Sequence, residues 1–365
     1  MRFLLNKYNY KEVSTPQILD NKLWKISGHW DHYKNNMFIT KYEDRDFGVK
    51  PMNCPGSMLI YKSSTRSYKE LPLRLSEIGR LHRRVKSGEV NGLLRVRQIT
   101  MDDAHIFVSE DQIYDEVSNI LDMMTEFYTK FGFEFDFRLA TRPELFAGTQ
   151  ENWKKAEKDL EEALKKKKLN YSLKPQDGAF YGPKIDVHIK DSLGREWQLA
   201  TVQLDFHMPE AFDLKFVKNN GSFERPVMIH RAILGSFERY IGILTEHYQG
   251  AFPLWLNPVQ VAVIPITDKH TKFAQKVNDM LAQAGIRTEL YSQNQTLPAK
   301  IRQATLQKIP YLGIIGDNEY QKSNLKSQKL EDLYISLRTR EGKDDGIINL
   351  SEFLKKVKEE IDKKV

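Results

Sequence analysis

The chain changes rhythm at one place, and that place decides how it can be divided. From Gly250 to Pro258 the sequence Gly-Ala-Phe-Pro-Leu-Trp-Leu-Asn-Pro sets two prolines, Pro253 and Pro258, around a short apolar stretch. Proline fixes φ and lacks an N–H donor, so neither a helix nor a sheet interior runs on through such a segment. Ahead of it, Gly235 to Tyr248 carries Phe237, Tyr240, Ile241 and Leu244 at the spacing of one helical face. After it, Val259 to Ile266 reads as a buried strand. A chain of 365 residues is expected to form two domains, which this signal places at 1–253 and 258–365.

The two parts are patterned differently. In the second, helices are expected over Lys272–Ala284, Ala299–Ile309 and Leu350–Lys364, and strands over Arg287–Tyr291, Tyr311–Ile315 and Leu333–Arg340. Strands that alternate with helices indicate an α/β domain. In the first, long helices are expected at 111–131 and 149–168. Alternation of polar and apolar residues marks Lys184–Lys190 and Glu196–His207 as strands, joined as a hairpin around Asp191-Ser192-Leu193-Gly194. This is an α+β pattern with an antiparallel sheet. The basic run Lys165 to Lys168 reads as a solvated helix end.

Hydrophobic residues make up 40% and charged residues 29%, the balance of a globular chain rather than a disordered one. No window approaches the ~18 consecutive apolar residues of a membrane-spanning helix. Lys7 interrupts the apolar start, so no secretory signal is expected. A single cysteine excludes an internal disulfide and suits a reducing compartment. The formal charge of +7 permits an anionic partner such as nucleic acid without demonstrating one.

That cysteine, Cys54, sits in Met-Asn-Cys-Pro-Gly; His105 follows Asp102-Asp103-Ala104, and His230 precedes Arg231. A thiolate and two imidazoles can hold zinc with one position open, but separations of this size do not decide it, and each residue alone reads as a buried or surface side chain. Arg83, Arg95, Arg97 and Arg239 fall inside orderly segments, where a guanidinium needs an anion: a core carboxylate or a ligand phosphate. Neither G-x-x-x-x-G-K-[ST] nor G-x-G-x-x-G occurs, so the usual phosphate loops are absent.

Several blocks, taken in order, carry a resemblance. They are Met52-Asn53-Cys54-Pro55-Gly56, Leu94-Arg95-Val96-Arg97 leading into Asp102-Asp103-Ala104-His105-Ile106-Phe107, Gly178-Ala179-Phe180-Tyr181-Gly182-Pro183-Lys184, Thr201-Val202-Gln203-Leu204-Asp205-Phe206, and Val227 through His230-Arg231 to Gly235-Ser236. From about Tyr8 onward the chain resembles the threonyl-tRNA synthetases, a class II aminoacyl-tRNA synthetase family. The resemblance implies an α+β catalytic domain, an antiparallel sheet flanked by helices, followed by a smaller α/β anticodon-binding domain. It implies a threonine–tRNA ligase. L-threonine and ATP would give threonyl adenylate and pyrophosphate, and the threonyl group would pass to the 3′ end of threonine tRNA.

It also implies roles. Cys54, His105 and His230 would hold one Zn2+ per chain, which the amino and hydroxyl groups of threonine would coordinate. Valine has no hydroxyl to offer, and a site built for one rejects it. Asp103 would accept from the threonine amino group, with Tyr181, Gln203 and Lys184 lining the same pocket. Arg83 would bind the α-phosphate and the activated carboxylate, Arg239 the γ-phosphate and Arg95 a further phosphate. Gln198 and Thr201 would lie near ATP and the adenylate. The catalytic set would be Arg83, Arg239, Gln203 and Lys184, with Mg2+ accompanying ATP. Asn294, Arg302, Lys308, Glu319 and Arg338 match anticodon-contacting positions. Lys308 stands where arginine is common and lacks the planar fork. A cytoplasmic homodimer is expected.

Three positions depart from the family pattern: Val85 where a glutamate would hold the adenine amino group, Met101 where glutamine is common, and Ala200 where glycine is common. The chain is also expected to lack the family's N-terminal region and editing domain and to start inside the interface helix of motif 1. The alternative reading is therefore a tRNA-binding paralogue or fragment that does not activate an amino acid.

Overall fold

The computed structural model describes residues 1–327 and 329–364. The chain divides into two compact units, Met1–Ile243 and Leu244–Val365.

The first unit is built on an eight-stranded sheet. The elements that matter to it are α1 (Cys54–Lys62), β1 (Leu73–His82), β2 (Gln98–Val108), α2 (Ile113–Lys130), β3 (Phe135–Ala140), α3 (Gln150–Lys166), β4 (Lys184–Lys190), β5 (Glu196–Asp205), β6 (Val227–Ala232) and α4 (Phe237–His247). Across the sheet the order is Lys11–Glu12, β1, β2, β6, β5, β4, β3 and Tyr171–Lys174. The six long strands pair antiparallel, and only the two short edge strands are parallel. Long β1 and β2 alternate toward the two faces of the sheet, as a strand must. Helices α2 and α3 bury one apolar stripe each, among them Val117, Ile120, Leu121 and Met124 on α2 and Trp153, Leu160 and Leu164 on α3. Thr149 caps α3 by accepting from the Asn152 amide at 3.2 Å. The hairpin between β4 and β5 closes through Asp191, whose Oδ1 accepts from the amides of Leu193 and Arg195, with Gly194 at φ +77°.

The second unit carries a five-stranded mixed sheet of β7 (Val261–Pro265), β8 (Thr288–Leu290), β9 (Tyr311–Ile315), β10 (Tyr334–Thr339) and β11 (Asp344–Asn349), ordered β8-β7-β9-β10-β11. Val261 and Val263 face α5 (Thr271–Gln283) and α7 (Leu350–Lys363), packing with Phe273, Val277, Phe353 and Val357. Ala262 and Ile264 face α6 (Leu297–Leu306), packing with Ala304, Leu312 and Ile314. Helices on both faces explain why β7 and β9 are apolar throughout. The helices and strands expected in this half are present with ends shifted by at most a few residues, and β11 is an addition. Its Asp344-Asp345-Gly346 start hides it from a reading based on β-propensity.

One buried contact fixes the sheet where the cavity forms. Asp102 on β2 and Arg231 on β6 are both fully buried and ion-paired at 3.3 Å. The Asp102 carboxylate also accepts from the amides of Ile233 at 2.8 Å and Leu234 at 3.1 Å, which holds the turn that leads to α4. The Arg231 guanidinium donates to the Asp102 carbonyl at 2.7 Å and lies 4.4 Å from the centre of the Tyr10 ring. Removing one member of a buried pair leaves the other charge uncompensated. Asp102→Ala should therefore cost about 3–5 kcal/mol, read as a lowered midpoint in denaturant unfolding. Asp103→Ala, one residue on and directed to the cavity, should cost much less.

Candidate functional site

A cavity of about 540 Å³ opens on one face of the sheet in the first unit. Its floor is β1, β2, β6 and β5, which contribute Leu81, Asp103, His105, His230, Thr201 and Gln203. The segment after β1 supplies Arg83, Val85, Glu89 and Arg95, the start of α1 supplies Cys54, and α4 supplies Arg239.

One end of it is a cluster of metal-ligating atoms. β2 and β6 are registered with His105 directly opposite His230, and their rings lie 5.0 Å apart. Cys54 enters at the first turn of α1, beside Pro55, which can only start a helix. One ligand atom from each of the three residues lies within 4.8 Å of the others, and all three residues are buried. The outer nitrogens are already engaged. His105 Nδ1 lies 3.1 Å from Ser57 Oγ, and His230 Nε2 lies 2.9 Å from Asp205 Oδ2. Such partners fix which ring nitrogen remains for a metal. Burial pushes His105 down to about 4, so its ring is neutral, as a ligand must be. Burial, then Asp103 and Asp205, push the Cys54 thiol well above its ordinary value. A divalent ion reverses that last shift by binding the thiolate. One sulfur, two nitrogens and an open side toward the cavity fit a four-coordinate zinc with one exchangeable position. Ligand atoms around tetrahedral zinc sit ~3.3–3.8 Å apart, which small side-chain rotations reach from here.

Asp103, Tyr181 and Gln203 surround this end. Asp103 Oδ2 lies 3.9 Å from His105 Nε2 and accepts from Asn53 Nδ2 at 3.1 Å. The Tyr181 ring lies 4.9 Å from that of His230, and Gln203 is held by donation to the Gly182 carbonyl at 2.8 Å. Gly182 is required there: a Cβ would stand 2.0 Å from the Leu204 carbonyl oxygen.

The other end is cationic. Arg239 donates to the carbonyls of Leu94 at 2.9 Å and Gln198 at 3.0 Å, and lies 5.2 Å from the centre of the Trp197 ring. Burial, then the fields of Arg83 and Arg95, hold it below its ordinary value. Arg83 donates to the Pro51 carbonyl at 3.3 Å and reaches Met101 Sδ at 3.8 Å. Its field acts on both the Cys54 thiol and Arg239, which puts it between the two ends. Arg95 pairs with Glu89 at 2.8 Å, both half-exposed. Among the described residues Arg83 and Arg239 have no carboxylate partner, which leaves their charge open to an anionic ligand. Arg97 donates to the Val85 carbonyl and to Ser87 Oγ.

Lys184 was expected in the pocket wall and is not among the lining residues. Its ammonium is paired at 2.6 Å with Asp186, which also binds Gln198 and Thr201. Asp186, Asp205, Ser57 and Asn53 went without a role in the sequence reading. So did His29, which burial pushes down to about 3 and whose Nε2 lies 3.8 Å from Cys54 Sγ. Two of them had a signal: Asp186 and Asp205 each stand two residues after a named strand residue, on the same face.

In the second unit Asn294, Arg302 and Lys308 are exposed, before, on and after α6. Arg338 pairs in register with Leu312, on the α6 face of the sheet, and contacts Asp344 at 3.4 Å. Glu319 differs from them. It is buried, and its carboxylate accepts from the Gly316 amide at 2.7 Å. Part of its capacity therefore caps its own helix.

Residues 36–248 match the tRNA synthetase class II core domain (G, H, P, S and T), and residues 260–360 match an anticodon binding domain. The chain belongs to the class II aminoacyl-tRNA synthetases. The threonine–tRNA ligase of Caldanaerobacter subterraneus subsp. tengcongensis is 50% identical over 97% of this chain and 54% of its own length. That of Clostridium novyi is 50% identical over 100% of this chain and 55% of its own length. The chain thus spans about half the length of these curated relatives. The crystal structure of the RNA binding domain of threonyl-tRNA synthetase from Cryptosporidium parvum Iowa II superposes with a TM-score of 0.92 at 40% identity. That superposition covers 98% of this chain and 88% of that one.

The capacity of Cys54, His105 and His230 to hold a metal can be tested directly. The wild-type chain is expected to carry one zinc by elemental analysis, and Cys54→Ala or His105→Ala should abolish it. Asp205→Asn should keep the ligands and weaken zinc affinity about 10–100-fold in chelator competition.

Proposed function

We propose that the chain is the catalytic and anticodon-binding part of a threonine–tRNA ligase, with residues 1–253 performing catalysis and 258–365 reading the anticodon. One observation carries the reading: a zinc-competent cluster lies at one end of one cavity and Arg239 at the other, with Arg83 between them, and neither arginine has a carboxylate partner among the described residues. A small amino acid bearing a hydroxyl fits the first end, and a nucleoside triphosphate fits the second.

Zinc bound by Cys54, His105 and His230 would supply Lewis-acid coordination for the amino and hydroxyl groups of L-threonine. Asp103, held by Asn53, accepts from the amino group, and Tyr181 and Gln203 close around the side chain. Arg239 and Arg95 hold the triphosphate of ATP, which carries Mg2+. For Arg95 this means exchanging Glu89 for phosphate. Arg83, between the ends, binds where the threonine carboxylate meets the α-phosphate. There its charge stabilises the transition state as pyrophosphate leaves, and electrostatic help of this kind is the main requirement of such a transfer. A hydroxyl of the terminal ribose of threonine tRNA then attacks the threonyl carbonyl, forming the ester as the anhydride bond breaks and AMP leaves. Asn294, Arg302, Lys308 and Arg338, with the remaining capacity of Glu319, would contact the splayed bases of the anticodon loop.

Among the described residues no helix is long and apolar enough to cross a membrane. We place the chain in the cytoplasm as a homodimer, on the family resemblance. The reading as a binding protein without activation is disfavoured, because both ends of the cavity are furnished.

Zinc-replete protein should catalyse threonine-dependent ATP–pyrophosphate exchange, and its absence with saturating magnesium would overturn the reading. Arg83→Ala should lower the exchange rate about 10²–10³-fold with zinc retained. Serine, which keeps the hydroxyl, should be activated only about 10–200-fold less efficiently than threonine, and valine far more weakly. Arg302→Glu should impair aminoacylation of tRNA and leave pyrophosphate exchange unchanged.

A further inference from the structure

We infer that Asp186 is a positioning residue for the nucleotide end of the cavity, acting through Gln198 and Thr201; this deepens the synthetase reading and rests on it. Asp186 is 1% exposed, on β4, opposite Thr201 of β5. Three side chains converge on its carboxylate. Oδ1 accepts from Gln198 Nε2 at 2.7 Å and from the Thr201 hydroxyl, and Oδ2 accepts from Lys184 Nζ at 2.6 Å. Gln198 and Thr201 line the cavity, and Asp186 does not.

The chemistry of a carboxylate makes this arrangement directional. An ionised carboxylate only accepts. The hydroxyl proton of Thr201 is therefore committed to Asp186, and the Gln198 amide must turn its NH2 toward Asp186. The same NH2 also donates to Thr201 Oγ1 at 3.1 Å. What remains for a ligand is acceptors: Gln198 Oε1 and a lone pair of Thr201. A glutamine amide left to itself can present either its oxygen or its nitrogen. Asp186 removes that freedom and gives this stretch of wall one polarity. It suits a ligand group that donates, such as a ribose hydroxyl, and not a phosphate oxygen. Lys184 keeps the buried carboxylate compensated, which accounts for its place outside the cavity lining.

The effect is local to one end. Gln203, two residues from Thr201 and about 7 Å further along β5, pairs with His230 at the metal end. Gln198 lies the other way, and its backbone carbonyl accepts from Arg239. Asp186 thus governs nucleotide contacts and leaves the amino acid contacts alone.

Asp186→Asn and Asp186→Ala in the full chain test this, with the wild type alongside. Asparagine keeps the volume, but its amide can place a donor where donors already converge. Both variants should raise the KM for ATP in threonine-dependent exchange by at least about tenfold and leave the KM for threonine within about twofold. Zinc should stay at one per chain, and the thermal midpoint of the Asn variant should stay near wild type. A merely structural role would tolerate the isosteric change. An unaltered KM for ATP in Asp186→Asn overturns the inference, as does an equal rise in both KM values or a loss of zinc. Wild-type protein without exchange overturns the synthetase reading instead. Calorimetric titration with ATP alone then decides the inference: weaker binding by Asp186→Asn than by wild type supports it, and equal binding refutes it.

Discussion

The site hangs on the pairing of β2 with β6. In that register His105 meets His230, so two of the three residues that could hold a metal are neighbours only because the ladder places them there. Side chains alternate along a strand, and a slip of one residue would exchange the faces. Here a slip of β2 would turn Asp103 and His105 away from the cavity and bring Asp102 toward it, while His230 on β6 stayed in place. The buried Asp102–Arg231 pair makes that slip costly, since each charge is compensated only in the observed register. A buried ion pair adds little net stability over an apolar pair. Its value here is specificity of register, passed on to α4 through the amides of Ile233 and Leu234.

The charges of the cavity are arranged before any ligand arrives. Arg83 and Arg239 are tied by their own N–H groups to backbone carbonyls rather than to carboxylates, so they hold their positions without losing their charge. Like charges held close together destabilise the empty cavity, and burial adds to this for Arg239. A polyanion relieves both effects. The imidazoles at the other end work in the opposite sense. Burial keeps His105 and His29 neutral at ordinary pH, so each ring keeps one lone pair beside one N–H and adds no charge. Positive charge in the wall comes from Arg83, Arg95 and Arg239 rather than from these imidazoles. That division suits phosphoryl chemistry driven by electrostatics.

The elements were legible where their period is pure. Tyr311–Ile315 and Lys184–Lys190 are found at the ends expected, because continuous or alternating apolar residues leave little choice. β11 was not, since its start of Asp344-Asp345-Gly346 is a poor strand and is held by pairing with β10. The site was legible as a set of residue types and not as a place. Cys54, His105 and His230 are brought together by tertiary pairing, which no spacing encodes. Arg95 shows the same limit in reverse. Either a carboxylate or a phosphate could have been its partner, and in this structure Glu89 occupies it. Lys184 was placed in the wall because its neighbours are there, and the buried carboxylate two residues on draws it away.

The three departures from the family pattern divide by the same strand alternation. Ala200 is fully buried on the face of β5 opposite Thr201, so it packs against the core and meets no ligand. Val85 and Met101 both line the cavity, and Met101 Sδ touches the Arg83 guanidinium. Neither belongs to the Cys54, His105 and His230 cluster or is bonded to its partners Ser57 and Asp205. The departures that reach the cavity therefore lie in the lining around Arg83, apart from the three residues that could hold a metal. A thioether and an isopropyl group offer no strong acceptor to a base amino group. On the proposed reading, recognition of the nucleotide then falls to the arginines and to the acceptors that Asp186 orients. On the same reading, selection of the amino acid depends on a separate set of side chains at the other end, so a change in the lining of one end leaves the other intact.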